Sequence, residues 1–180
     1  MPIVGDKTYL TCVSSASNDK LREWRNSPEI KQFMREYREI SEDMQKAWFE
    51  TNANNDTSQL HFEIHDKETD TLIGHCSLTK INWVYRNAEF GVLIGDKSSE
   101  FRGYGSDALK ALIRHGFYEL GFHRIYGEVY SNNQRALSAF YKIGFVKECM
   151  LRKAKFINGS FYDTICISIL EDEWRKLYGE

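Results

Sequence analysis

The chain has 180 residues, 42% of them hydrophobic and 14% aromatic, which excludes global disorder. Its length fits one domain spanning 1–180, able to bury about 70% of its unfolded surface without staples. Charged residues make up 28% and sum to a formal net charge of -2, so no positive excess points to nucleic acid or an anionic membrane.

Cys12, Cys76, Cys149 and Cys166 form no Cys-x-x-Cys pair and read as buried thiols of a reducing compartment. Met1 to Leu10 lacks a basic segment followed by an apolar one, and no apolar run approaches the ~18 residues of a membrane helix. A soluble cytoplasmic protein is the expectation.

Lys7 to Val13 is predicted as the first strand. From Ser14 to Asn55 the pattern is helical, with Leu21, Trp24, Ile30, Phe33 and Met34 at helical intervals. Ser27-Pro28 is a helix start, and Ser41 caps a further helix carrying Met44, Ala47 and Trp48. Leu60 to Asp66 alternates apolar and polar residues. With Thr71 to Trp83 and Ala88 to Ile94 it predicts an antiparallel meander. Ser106 to Leu120 is an amphipathic helix closed by Gly121, and Arg124 to Tyr130 a short strand. A second helix runs from Asn133 to Ile143 and stops at Gly144. Two strands then flank Asn158-Gly159-Ser160, a hairpin signal because Asn-Gly supplies the positive φ of a tight turn. Glu171 to Tyr178 closes the chain as a helix. The fold class is α+β: a mixed, largely antiparallel central sheet flanked by helices.

Ile94 to Ser106 holds the first candidate chemistry. A strand ends, Gly103 and Gly105 follow, and a helix begins. Glycines allow close backbone approach, and the helix start offers unpaired N–H groups with partial positive charge, suited to a phosphate or pyrophosphate. Arg102 adds a cation. The same pattern also describes a plain strand-to-helix turn. It is neither a P-loop nor the dinucleotide fingerprint. In Ser131 to Phe145, Asn133 either caps the helix or presents its amide to a ligand, and Tyr141 is either a proton donor or a boundary aromatic.

These two segments, in this order and separation, resemble the GNAT superfamily of acyl-CoA-dependent N-acetyltransferases. Asn87 to Lys97 and Arg102 to Leu109 look like its RimJ/RimL-type branch, and Leu21 to Ile30 looks like the start of such proteins. The chain is also similar to acetyltransferases acting on nucleotide-linked amino sugars. The resemblance implies a GNAT-like sheet with a splayed pair of strands. Val92, Leu93 and Ile94 would pair with the pantetheine amides, and the N–H groups of Phe101, Arg102, Gly103, Tyr104, Gly105 and Ser106 would hold the CoA pyrophosphate. Asn133 would reach the pantetheine arm. Acetyl-CoA is then the cosubstrate, with no metal, and a primary amine attacks the thioester directly. That amine is a nucleotide-linked amino sugar, a protein N-terminus, or a small amine or polyamine. The partners are acetyl-CoA and the amine, with no nucleic acid and no membrane, and the chain is a monomer or homodimer.

Three positions depart from the family pattern. Glu100 and Phe101 stand where Gln or Arg and a further Gly are common. The family's proton-donating Tyr falls on Phe140, so Tyr141 is one step, ~100°, out of place. Glu89 is the general-base candidate, sharing a strand face with Gly91 and Leu93, or else a structural carboxylate paired with Arg. Trp24 and Arg25 are substrate-binding candidates, alternatively core and surface ion pair; Tyr85 is a weaker one. A non-catalytic acyl-CoA-binding or regulatory module is the alternative function, supported by Phe140. His61 and His65 are roughly 13 Å apart along one strand, too far for one zinc.

Overall fold

The computed structural model describes residues 1–53, 57–100 and 102–179. Eight strands form one sheet: β1 (Ile3–Val4), β2 (Thr8–Cys12), β3 (Leu60–Asp66), β4 (Leu72–Asn82), β5 (Asn87–Ile94), β6 (Arg124–Tyr130), β7 (Val146–Ile157) and β8 (Ser160–Leu170). Their order is β1-β2-β3-β4-β5-β6-β8-β7. Every neighbouring pair is antiparallel except β5 and β6, which run parallel. A parallel pair needs a crossover, and the long helix between these strands supplies it.

The helices are α1 (Asn18–Asn26), α2 (Pro28–Lys31), α3 (Glu42–Trp48), α4 (Tyr104–Tyr118), α5 (Gln134–Ile143) and α6 (Glu171–Tyr178). On one sheet face, Ala108, Leu109, Leu112, Ile113 and Phe117 of α4 pack with Leu137, Ile143 and Trp174 on Phe62, Ile64, Cys76, Leu78, Ile125 and Ile167. Each such aliphatic or aromatic side chain contributes about 1.5–3 kcal/mol when fully buried. A second cluster on α1 gathers Val13, Leu21, Trp24 and Ala53, with Trp48 and Leu93 against it.

Two carboxylates, half-buried Asp107 and buried Glu63, fix how the helices sit. Asp107, in the first turn of α4, accepts from the backbone N–H groups of Asp6, Lys7 and Thr8 at 2.9–3.0 Å and from Thr8 Oγ1 at 2.7 Å. Negative charge is favourable at a helix start, so this anchor serves the helix as well as the N-terminal segment. Glu63 accepts from Ser14 N at 2.7 Å and from the Ser17 hydroxyl, tying the entry to α1 onto β3.

The helical reading of 14–55 is corrected at 32–40, which is irregular. Ile40 is buried, and the Asn26 amide brackets its backbone: Nδ2 donates to Ile40 O and Ile40 N donates to Oδ1, both at 2.9 Å. That side-chain bracket competes with continued helix. The short strand β1 was not predicted, because two residues carry no readable period. The thiol reading is corrected too: Cys76 is buried, but Cys12 and Cys149 are exposed. Cys149 lies on β7, the outer strand, whose side chains are almost all exposed. None of the described helices is long and apolar enough to cross a membrane.

Candidate active site

The parallel pairing of β5 and β6 covers only Asn87↔Arg124, Ala88↔Ile125 and Glu89↔Tyr126. Beyond Glu89, β5 continues to Ile94 against β4 alone, while β6 continues to Tyr130 against β8 alone. The two strands therefore fork. Among the described residues, the inner edges of Phe90–Ile94 and Gly127–Tyr130 have no strand partner across the fork.

Alternation sorts the side chains around it. Ala88, Phe90, Val92 and Ile94 turn to the main core, while Leu93 turns to the cluster on α1. On the core side the fork has an aromatic floor. Phe90 meets Phe140 edge-on at 5.0 Å between ring centroids and Phe145 at 4.8 Å. A Cβ at Gly127 would lie 2.6 Å from the Phe90 ring, so β6 gives up a side chain there to make room for it.

The opposite side of the fork is charged. Glu89, whose side chain is 3% exposed, receives both arms of the Arg35 guanidinium: Nη1 donates to Oε2 at 3.0 Å and Nη2 donates to Oε1. Lys80 Nζ lies 2.9 Å from Oε2. Lys80 reaches it through a bulge, for β4 loses register between Thr79 and Asn82 and Lys80 has φ 50°. A bulge of this kind re-aims a side chain. Burial pushes the Glu89 carboxyl upward, but hydrogen bonds and charges from Arg35 and Lys80 outweigh burial and hold it below the usual carboxylate value. Glu128, two residues past the last β5–β6 pair, stands 3.5 Å from Arg35 Nη2.

The strand-to-helix turn beyond β5 has the geometry of an anion site. Gly103 is the N-cap of α4 with φ 84°, a left-handed conformation open to glycine at little cost. The N–H groups of Tyr104, Gly105 and Ser106 open the helix, where no intrahelical acceptor exists. Gly105 lies close to Ile94, so helix start and strand end are adjacent. Arg102 stacks on the Tyr104 ring at 5.6 Å, and its carbonyl accepts from Lys7 Nζ at 3.0 Å. Phe101 lies outside the described residues. Across the turn, Arg135 of α5 pairs with Glu100 at 3.1 Å.

The remaining candidates fare differently. Asn133 is the N-cap of α5, its Oδ1 accepting from Ala136 N at 3.2 Å, and its Nδ2 is not used by that cap. Trp24 is corrected from substrate contact to core: it is buried, and its indole lies flush against the Gly95 backbone. Arg25 lies over the Trp48 ring at 5.5 Å and donates to Gln45 Oε1 at 3.2 Å; burial lowers its pKa. Trp48 in turn packs edge-on against the stacked His61 and His75 rings. Burial, then His61 and Arg25, push His75 down to about 3, so it is neutral in this wall. Tyr85 is exposed in the β4–β5 turn, its N–H donating to Asn82 Oδ1 at 2.8 Å. Tyr141 is 43% exposed, while its neighbour Phe140 packs inward on Phe90. Tyr141→Phe is accordingly expected to change kcat by less than about twofold, whereas loss of a general acid is worth 10²–10⁴. Steady-state kinetics across pH checks this. Arg35 and Lys80 were missed by sequence reasoning. Neither has a local signal, since one sits in an irregular loop and the other in a bulge.

A mixed sheet thus forks beside a helix start, setting a free strand edge next to unpaired N–H groups. A family profile described as an acetyltransferase (GNAT) domain matches residues 9–146. Spermidine N(1)-acetyltransferase of Escherichia coli (strain K12) is 30% identical over 142 residues, 72% of this chain and 75% of that protein. Its counterpart from Vibrio cholerae serotype O1 is 29% identical over 119 residues, 66% of this chain and 68% of that protein. A solved structure of spermidine N-acetyltransferase from Vibrio cholerae, in complex with CoA and spermine, superposes with a TM-score of 0.87. It is 24% identical and covers 93% of this chain and 98% of its own. The chain belongs to the GNAT acetyltransferase family and is an N-acetyltransferase.

Proposed function

We propose that the chain transfers acetyl from acetyl-CoA to a primary amine of a polyamine such as spermidine or spermine. The observation that carries this reading is the fork between β5 and β6 with Glu89 and Glu128 at its open side. The relatives named above as spermidine acetyltransferases support it. So does the sequence around the irregular loop, where Glu36, Glu39, Glu42 and Asp43 outnumber Arg35 and Arg38. A nucleotide-linked sugar needs free cations. Arg25 is instead committed to Trp48 and Gln45, and Arg35 to Glu89 and Glu128.

The pantetheine arm lies along the unpartnered edge of Val92, Leu93 and Ile94. The pyrophosphate rests on the N–H groups from Gly103 to Ser106 with Arg102 beside it, as a helix start favours. The thioester then faces the fork above Phe90. The amine must arrive without its proton, because an ammonium has no lone pair. Glu89, directly or through water, takes that proton. The amine nitrogen forms its bond to the carbonyl carbon, the carbon–sulfur bond breaks, and the CoA sulfur leaves with the electron pair. Phe140 has no hydroxyl to give, so the sulfur is protonated by water or by the proton shed from nitrogen. The RimJ/RimL-type wording of Asn87 to Lys97, a cytoplasmic location, and action as one domain in a monomer or homodimer belong to the same reading.

Release of free CoA thiol tests it. Acetyl-CoA is mixed with spermidine, spermine, a nucleotide-linked amino sugar or an N-terminal peptide. Thiol release with the polyamines, and little with the others, is expected. Release only with the sugar nucleotide or the peptide would reassign the acceptor.

A further inference from the structure

We infer that Arg35 is the specificity-determining residue of the acceptor site: its guanidinium occupies the seat between Glu89 and Glu128 that the acceptor's ammonium must take. The inference rests on the polyamine reading above.

Position supports it first. Glu89 is the last residue of β5 paired with β6, and Glu128 lies on β6 just past the divergence, so the two carboxylates flank the fork. Arg35 spans them, with both arms on Glu89 and Nη2 3.5 Å from Glu128. An amine travelling from solvent on this side to a thioester in the fork meets that guanidinium.

Chemistry supports it second. Guanidinium and ammonium carry the same charge and both donate N–H hydrogen bonds, but arginine does not deprotonate near neutral pH. Arg35 is therefore an occupant that fits the carboxylates and cannot react. Lys80 stays on the Glu89 oxygen Oε2 from the other side, so Glu89 is not left alone when Arg35 moves.

The attachment of Arg35 supports it third. Its side chain is 46% exposed, against 3% for Glu89. It rises from the irregular segment that Asn26 pins at Ile40 and α2 pins at Lys31. Beside it, Tyr130 Oη donates to Met34 O at a long 3.3 Å. The half-exposed guanidinium can swing out toward solvent and vacate both carboxylates. A neutral or anionic acceptor offers nothing to replace it on Glu89.

The test is calorimetric titration of spermine into the CoA-bound wild type, Arg35→Gln, Arg35→Lys and Glu128→Gln proteins, with KM and kcat for spermidine measured beside it. Emptying a seat that is filled most of the time raises apparent affinity by the inverse of its vacancy. Arg35→Gln is expected to bind spermine roughly 3- to 10-fold tighter and to lower KM for spermidine correspondingly. Arg35→Lys restores a cation and returns toward wild type. Glu128→Gln removes one wall of the seat and weakens spermine at least about threefold. A merely structural Arg35 would give weaker binding on removal, and an anion-reading Arg35 would give higher KM. Equal or weaker spermine binding by Arg35→Gln overturns the inference. If that variant does not fold, unchanged affinity in Glu128→Gln overturns it instead. Wild type that releases no thiol with spermidine, beside an Arg35→Gln protein that binds spermine tightly, would sink the acceptor reading and leave the seat standing. Turnover of spermidine with no tightening in Arg35→Gln would do the reverse.

Discussion

Glu89→Gln is expected to lower turnover at saturating amine by about 10²–10³-fold, the usual worth of a positioned proton acceptor. The amide keeps the shape and loses both the charge and the basicity. Coenzyme affinity is expected to stay unchanged, because the helix start at Gly103–Ser106, proposed to hold the pyrophosphate, is built from other elements. Stability falls as well, since Arg35 and Lys80 converge on this carboxylate. Both cations are well exposed and screened, so the loss is about 1–3 kcal/mol. Its pH dependence has a definite sign. Arg35 and Lys80 hold the folded-state carboxyl below the ordinary value, so its contribution is present above the unfolded pKa of about 4.3 and is lost as pH falls through the folded value. Melting curves of wild type and variant should therefore differ at neutral pH and converge in acid. Turnover unchanged at every pH would falsify the assignment of Glu89.

Gly95→Ala is expected to destabilise the fold by about 3 kcal/mol, at the upper end for overpacking. A Cβ there would lie 1.9 Å from Trp24 Cδ2 and 2.2 Å from Cγ. Trp24 is enclosed by Val13, Leu21 and Ala53, so the ring has no room to retreat. Gly95 itself is held, its N–H donating to Ile73 O at 2.9 Å. For a chain of this size the melting temperature should drop by roughly 6–12 °C. Because Gly95 joins β5 to the turn proposed to hold the pyrophosphate, acetyl-CoA affinity should fall in the same variant. Chemical denaturation showing a loss under about 1 kcal/mol would mean that the indole moves more freely than its packing implies.

The elements that the sequence announces are those with a local cause. Asn158 and Gly159 have φ of 49° and 81°, the paired positive angles that an Asn-Gly hairpin demands. Ser41 caps α3 by accepting from Met44 N at 3.2 Å, and Gly144 closes α5 with φ 115°. Phe140 facing inward in place of Tyr141 was legible from a single 100° step. The fork was not legible from periodicity, since Phe90–Ile94 alternates like any paired strand; the family resemblance supplied it. Arg35 meets Glu89 across 54 residues, from a stretch whose apolar spacing imitates a helix. The bracket of Asn26 on Ile40 competes with that helix, and such a bracket has no signature in one sequence. Trp24 beside Arg25 reads equally as a binding pair or as a core residue with a polar neighbour. Burial, which alone decides, is a property of the finished fold.

The outer border of the sheet shows how this chain discourages unwanted self-association. A border strand of twelve residues, with Met150, Leu151 and Phe156 open to solvent, invites a neighbouring molecule to zip along it. Here the regular pairing within β7 is cut into Val146–Lys147, Cys149–Leu151 and Lys155–Ile157, with slips between the runs and Lys153 at φ 52° in the longer interruption. No run exceeds three residues, so evenly spaced vacant amides never extend far enough to template a fibril-like ladder. Lys147, Arg152, Lys153 and Lys155 add mutual repulsion between copies that approach border to border.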